Sequence, residues 1–188
     1  MPALTITEIV ERLREAAGDD AIVEVSTDGP SPWFRVFPPK FRAVMEALRK
    51  EPSLAFDYLQ LVTAVDWLTH FDVVYHLWSM GNAHKVAVKI TVDRTNPRLP
   101  TVSDLWPAAD WHEREQYDLL GVIFEGHPDL RRILCPEDWE GHPLRKDYVQ
   151  PLEYHGISNV RKIGDDWYPK PDEDLKAIVT KPPTKPTA

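Results

Sequence analysis

The chain has 188 residues, with 22 Lys and Arg against 30 Asp and Glu, one cysteine and 18 prolines. This is room for one domain with an appendage, large enough to bury a core without a disulfide or structural metal, and the single Cys135 excludes an internal disulfide, a four-cysteine zinc site and an iron–sulfur cluster held entirely by this chain's own thiolates. The formal charge of −8 argues against nucleic acid as a partner, and no stretch approaches the roughly 18 consecutive apolar residues of a membrane span.

Thr5 and Glu8 have capping-box spacing, and Ile6, Ile9, Val10 and Leu13 recur on a helical period until Gly18, which predicts a first amphipathic helix. Ala21 to Val25 and Trp33 to Phe37 are β-type runs on either side of Asp28-Gly29-Pro30, the pattern of a hairpin. Pro38 and Pro39 can open a second helix, because a first-turn N–H has no intrahelical partner; Phe41, Val44, Met45 and Leu48 form its apolar stripe before Pro52. Three β-type runs follow, Tyr58 to Trp67, Val73 to Trp78 and Lys85 to Val92, the last alternating as a half-buried strand does. Trp106-Pro107 begins a segment free of Pro and Gly through Leu120, with Gly121 placed to cap it, which predicts a third helix. The order helix, two strands, helix, three strands, helix predicts a two-layer α+β domain over residues 1–135, with helices on one face of a mixed sheet.

Residues 136–188 have a different character. Eight of the 18 prolines fall here and no strand-like alternation survives, yet the segment carries Trp139, Tyr148, Trp167 and Tyr168, too aromatic for a solvated linker. It reads as an extended Pro-rich tail that gains order against partners, with those four aromatic residues as anchors and Arg145 and Lys146 making charge-assisted contacts.

The densest polar constellation runs from Trp111 to Asp118 and on through Gly126-His127-Pro128-Asp129-Leu130-Arg131-Arg132. One enzyme reading pairs Glu115 with Asp118 for acid–base work, and another makes His112, Glu113, His127 and Asp129 metal ligands. Neither has motif support: Gln116 stands where a zinc-protease helix needs its second His, and no nucleophile elbow or phosphate-cradling loop occurs. On a helix Arg114 and Asp118 share a face, as do Trp111 and Glu115, and Glu113 and Tyr117. Arg131 and Arg132 can fork onto Glu113, Glu115 or Asp118 of this chain or onto acids of a partner; the residues alone leave these alternatives open.

The run Glu113-Arg114-Glu115-Gln116-Tyr117-Asp118-Leu119-Leu120-Gly121, continuing through Gly126-His127-Pro128-Asp129-Leu130-Arg131-Arg132-Ile133-Leu134, closely resembles the signature of the thirty-kilodalton subunit of respiratory complex I. Pro143-Leu144-Arg145-Lys146-Asp147-Tyr148 resembles the basic motif that follows it in that family, and Leu61 to Asp66, Val73 to Leu77 and Trp106 to Trp111 resemble its upstream segments. Leu120 departs from the family pattern where an aromatic residue is usual, and Asp110 where Asn is usual. The resemblance implies a non-catalytic subunit of the peripheral arm of NADH:quinone oxidoreductase, with no cofactor of its own. It implies packing against the larger subunit that helps form the quinone pocket, while FMN and iron–sulfur clusters sit in partner subunits. It also implies a peripheral position on the cytoplasmic side of a bacterial inner membrane. A membrane-bound hydrogenase, a formate hydrogenlyase or a photosynthetic quinone oxidoreductase, which carry a similar domain, is the alternative within the same resemblance.

Overall fold

A computed structural model describes residues 4–27 and 31–159. The elements are α1 (Ile6–Ala17), β1 (Ile22–Ser26), β2 (Trp33–Val36), α2 (Phe41–Lys50), β3 (Tyr58–Asp66), β4 (His70–Ser79), β5 (His84–Asp93), β6 (Arg98–Pro100), α3 (Ala109–Leu120), β7 (Ile123–Glu125) and the short hairpin β8 (Glu153–Tyr154) and β9 (Ile157–Ser158). The chain forms two compact units, residues 1–149 and 150–188. Residues 136–149, read from the sequence as the start of the tail, therefore lie in the first unit.

Local chemistry sets the helices. Thr5 closes a full capping box on α1: its Oγ1 accepts from the Glu8 N–H and its own N–H donates to Glu8 Oε2 at 2.7 Å. A short 3-10 turn over Pro38–Lys40 leads into α2, and the α2 stripe of Phe41, Val44, Met45 and Leu48 is fully buried. Helices α1 and α2 present these stripes to the same core as the inward residues of a five-stranded sheet.

Strand order in that sheet is β1-β2-β5-β4-β3. Only β2 and β5 run parallel; the other neighbours are antiparallel, so the sheet is mixed as the sequence predicts. The register sets Val73 opposite Ile90, Tyr75 opposite Val88 and Leu77 opposite Val86, all buried on the helix side. The opposite face carries Asp72, Val74, His76 and Trp78 of β4 against Thr91, Lys89, Ala87 and Lys85 of β5.

β6 and β7 form a separate two-stranded parallel sheet. Three residues each are too few to show an alternation, so no sequence pattern announces them. Between them the chain buries Trp106, whose indole Nε1 donates to the Phe56 carbonyl at 2.9 Å, and this fixes the approach to α3. Helix α3 lies along β3, the sheet edge, where Gln116 Oε1 accepts the backbone N–H of Ala64 at 2.9 Å. One outward donor of an edge strand is thereby satisfied by a side chain. In the second unit, Asn159 bonds back to Leu152 and Pro151 around the β8–β9 hairpin. No helix among the described residues is long and apolar enough to cross a membrane.

Candidate functional site at the two ends of the third helix

The signature residues gather around α3. Asp118 is the centre. Its side chain is fully buried; Oδ2 accepts the backbone N–H groups of Ile133, Leu134 and Cys135 at 3.1, 2.7 and 2.8 Å, and Oδ1 accepts Arg132 Nη1 at 2.8 Å. Burial pushes this carboxyl up, but the Cys135 and Leu134 N–H groups, the Arg132 guanidinium and the Ile133 N–H together outweigh it and hold it below the ordinary range. Of the alternatives open in the sequence, the structure selects the internal clamp from Arg132. Arg131 turns to Asp129, its Nε donating at 2.8 Å. Glu115 makes no acid–base pair with Asp118, whose oxygens are occupied.

A helix end leaves its last carbonyls without intrahelical partners, and here the 131–149 segment supplies them. The Asp118 carbonyl accepts from His142 Nδ1 at 2.9 Å and Arg132 Nη1 at 3.2 Å, that of Leu119 from the Leu144 N–H at 3.0 Å, and that of Leu120 from Arg145 Nε at 2.7 Å. Two guanidinium groups at this end also oppose the negative pole of the helix dipole. Gly121 makes the approach possible. It is left-handed at φ +76°, and a Cβ there would fall 2.6 Å from His142 Cδ2 and 2.8 Å from Arg145 Nη2.

The other end of α3 is braced in the same manner. His127, its side chain buried, accepts the Asp129 N–H on Nδ1 at 3.1 Å and donates from Nε2 to the Asp110 carbonyl at 3.3 Å; Asp110 Oδ1 is 3.0 Å from Nε2 but has no hydrogen-bond partner among the described residues. Gly126-His127-Pro128 and Gly141-His142-Pro143 are thus two copies of one tripeptide, each placing an imidazole on a backbone carbonyl of the same helix. The repeat was a legible signal for His142, a residue absent from the candidates drawn from sequence.

Glu113 lies between these ends, fully buried. Val102 N–H donates to Oε1 at 2.8 Å, Thr101 Oγ1 donates to Oε2, and His127 Nε2 is 3.9 Å away. Burial pushes its carboxyl up to about 7, against those two hydrogen bonds, with the Asp110 and Asp104 charges adding to the rise. Glu113 is therefore a structural acid locking the strand end after β6 to the helix. An open cleft of about 660 Å³ beside it is lined by Arg42, Thr101, Asp104, Asp110, Glu125 and Pro128. Arg42 is engaged there by Asp104 and by Glu46.

A second ion network ties the basic motif to the sheet. Buried Asp66 receives both Arg94 Nε and Nη2 at 2.9 and 3.0 Å and the Lys146 N–H at 3.0 Å. Burial raises this carboxyl, yet Arg94, followed by the Lys146 and Leu68 N–H groups, brings it down to about 2. Arg94 also binds Asp147. The Arg145 guanidinium stacks over buried Phe71 at 5.4 Å, and Lys146 Nζ lies over the Trp67 ring at 5.7 Å. Asp66 and Arg94 come from separate strand ends, and no local spacing relates them.

Of the expected anchors, Tyr148 is half-buried, its ring placed so that a Cβ on Gly141 would fall 3.1 Å from Cε2, and Trp139 is half-buried. Tyr117 is half-buried on α3, and Trp111 stands out at 62% exposure. Trp167 and Tyr168 lie outside the described residues. Among the described residues no three His, Cys, Asp or Glu side chains come together as a metal site, so His112, Glu113, His127 and Asp129 are not gathered as ligands.

Fold and site together define an α+β domain in which the signature's buried polar side chains engage this chain's own backbone. The model of the family described as respiratory-chain NADH dehydrogenase, 30 Kd subunit, matches residues 34–154, and the chain belongs to that family. The corresponding NADH-quinone oxidoreductase subunit of Roseiflexus sp. is 45% identical over 148 residues, covering 77% of this chain and 84% of the relative. That of Chloroherpeton thalassium is 40% identical over 153 residues, covering 80% of this chain and 64% of the relative's length. Among solved structures, the trypsin-resistant fragment of Nqo5 superposes with a TM-score of 0.54 at 34% identity, covering 65% of this chain and 99% of the fragment. A chain of an archaeal membrane-bound sulfane sulfur reductase superposes with a TM-score of 0.63 at 30% identity, covering 76% of this chain and 85% of that one.

Proposed function

We propose that this chain is a non-catalytic structural subunit of the peripheral arm of a proton-translocating NADH:quinone oxidoreductase. In this reading it packs against the larger quinone-site subunit and holds its neighbours in the geometry that electron transfer from NADH to quinone requires. FMN and iron–sulfur clusters are carried by the partner subunits, and the assembly is peripheral on the cytoplasmic side of a bacterial inner membrane.

The observation that carries the proposal is the double bracing of α3. Asp118, Arg132, His142, Arg145 and His127 all bind backbone of this chain, which uses the signature's charges for rigidity rather than for reaction. Electron and proton transfer between neighbours depends on positions held to within about 0.5 Å, and a pre-organised block supplies that without chemistry of its own. The exposed Trp111, Leu134 and Leu144 around the braced helix are apolar groups suited to a permanent interface.

Purifying the tagged chain from solubilised membranes and identifying the proteins that accompany it tests the reading. NADH dehydrogenase subunits bearing flavin and clusters, together with the quinone-site subunit, are the expected companions. Nickel–iron hydrogenase subunits or a sulfur reductase in their place would overturn it. That second reading is favoured by one observation, the superposition on the sulfane sulfur reductase chain, and it keeps the scaffold role while changing the electron donor or acceptor.

A further inference from the structure

Of the three arginines in the run from Glu113 to Leu134, Arg131 pairs with Asp129 and Arg132 with Asp118, while Arg114 has no carboxylate partner among the described residues. It sits on α3 only 6% exposed, and two acids flank it at helical spacing, Asp110 four residues before and Asp118 four residues after. Neither pairs with it: Asp110 Oδ1 lies 3.0 Å from His127 Nε2, and Asp118 is held by Arg132 and three backbone N–H groups. Asp129, in the segment that crosses Arg114, is taken by Arg131. Among the described residues, the hydrogen-bond partner of the Arg114 side chain is a carbonyl, that of Arg131, which accepts from Nε at 3.3 Å.

A largely buried arginine without a carboxylate depends on the water its tip retains, because no ion pair offsets the desolvation of the rest. Its terminal nitrogens are not sealed in the interior without partners, so the tip still reaches the surface. Beside it is Trp111, with the guanidinium carbon 5.0 Å from the ring centroid. That ring is 62% exposed. Stacking on the indole fixes the plane of the guanidinium and leaves its edge free to receive a carboxylate through two parallel hydrogen bonds.

We propose that Arg114 and Trp111 form a docking point for an acidic side chain, Asp or Glu, of a partner subunit, with an apolar neighbour of that residue covering the indole. The inference rests on the reading of this chain as a subunit of a larger respiratory complex and names the contact through which it is held. Neither flanking acid pairs with the cation, so it is kept available for the partner. Tryptophan and arginine are also the residue types that most often dominate binding at interface centres.

The test uses the assembled complex purified through this chain. Arg114→Gln and Trp111→Ala are each expected to lower recovery of the partner subunits by about 10-fold or more, with the melting temperature of the isolated Trp111→Ala chain unchanged because that ring is already in solvent. Arg114→Lys is expected to retain part of the assembly and to place an amine where a zero-length carbodiimide joins it to an Asp or Glu of another subunit, located by peptide mass spectrometry. Wild-type recovery with Trp111→Ala and with Arg114→Lys, or a cross-link only to an acid of this chain, would overturn the docking point, even if Arg114→Gln fails to fold. Absence of any respiratory subunit with the wild-type chain would instead overturn the functional reading on which it rests.

Discussion

The sheet core and the braced end of α3 are held together by opposite means. In the core, Phe34, Val73, Tyr75, Leu77 and Val88 meet α1 and α2 through apolar surface that is non-directional and spread over the whole cluster. At the end of α3, the Asp118 carboxylate accepts backbone N–H groups of a segment that has no regular structure of its own, and two arginines and one histidine of that segment donate to the last carbonyls of the helix. The first tolerates loss of a part; the second is a network whose members leave buried, unpaired groups when one is removed. Rigidity in irregular backbone therefore comes from directional bonds, because such a segment has no ladder to supply them.

The sharpest way to break this contrast is Asp118→Ala. It strands the Ile133, Leu134 and Cys135 N–H groups and the Arg132 guanidinium, and should cost about 3–5 kcal/mol. Hydrogen exchange should show the loss concentrated in residues 131–149, with protection in β4 and β5 lowered only in step with global stability. Leu48→Ala in the core should cost a similar order, about 2–5 kcal/mol, but lower protection throughout the first unit. An equal response of both regions to both substitutions would mean that the two are one network.

Acidity distinguishes the two buried carboxylates. Asp118 is held below its ordinary value, so its contribution is present at neutral pH and is lost as pH falls through the carboxylate range and below. Glu113 is raised from 4.5 to about 7, so the folded state holds a proton that the unfolded chain has released, and stability declines between those two values as pH rises. The decline amounts to about 3 kcal/mol at most. Glu113→Gln should flatten denaturant midpoints over that window, and an unchanged pH slope would show that Glu113 is ionised throughout.

Gly121→Ala should cost roughly 1–2 kcal/mol, from the left-handed backbone and from pushing His142 and Arg145 off the helix end. His142 resonances by NMR would report the displacement. The smallest stability change is expected from deleting Pro151 to Ala188, within about 0.5 kcal/mol for the first unit by thermal melting. Its effect should fall on assembly instead, and normal recovery of partner subunits with the truncated chain would remove the tail from the binding account.

Much of the core was readable in advance. Thr5 and Glu8, the stripe after Pro38-Pro39 and the alternation in Lys85 to Val92 all lie within one element, and each predicted helix and strand of the five-stranded sheet is present. Boundaries shifted by a few residues: β4 starts at His70 rather than Val73, and α3 at Ala109 rather than at Trp106-Pro107. The site was legible as a constellation but not as a set of bonds. Arg131 and Arg132 are neighbours in sequence with identical chemistry, yet one is exposed on Asp129 and the other seals Asp118. Only the backbone path after Pro128 separates them.

Composition and periodicity by themselves determined the α+β class, the amphipathic helices and the exclusion of thiolate-held clusters, because those follow from residue counts and from contacts within a few residues. The tertiary structure decided the parallel pairing of β2 with β5, the Asp66–Arg94 lock, the placing of Asp110 beside His127 and of Asp118 on Arg132 rather than on Arg114, and the folding of residues 136–149 onto α3. Each of these joins groups distant along the chain, or chooses among chemically equivalent ones. Local sequence does not say which buried donor reaches a carboxylate first; that is settled by where the whole backbone brings them.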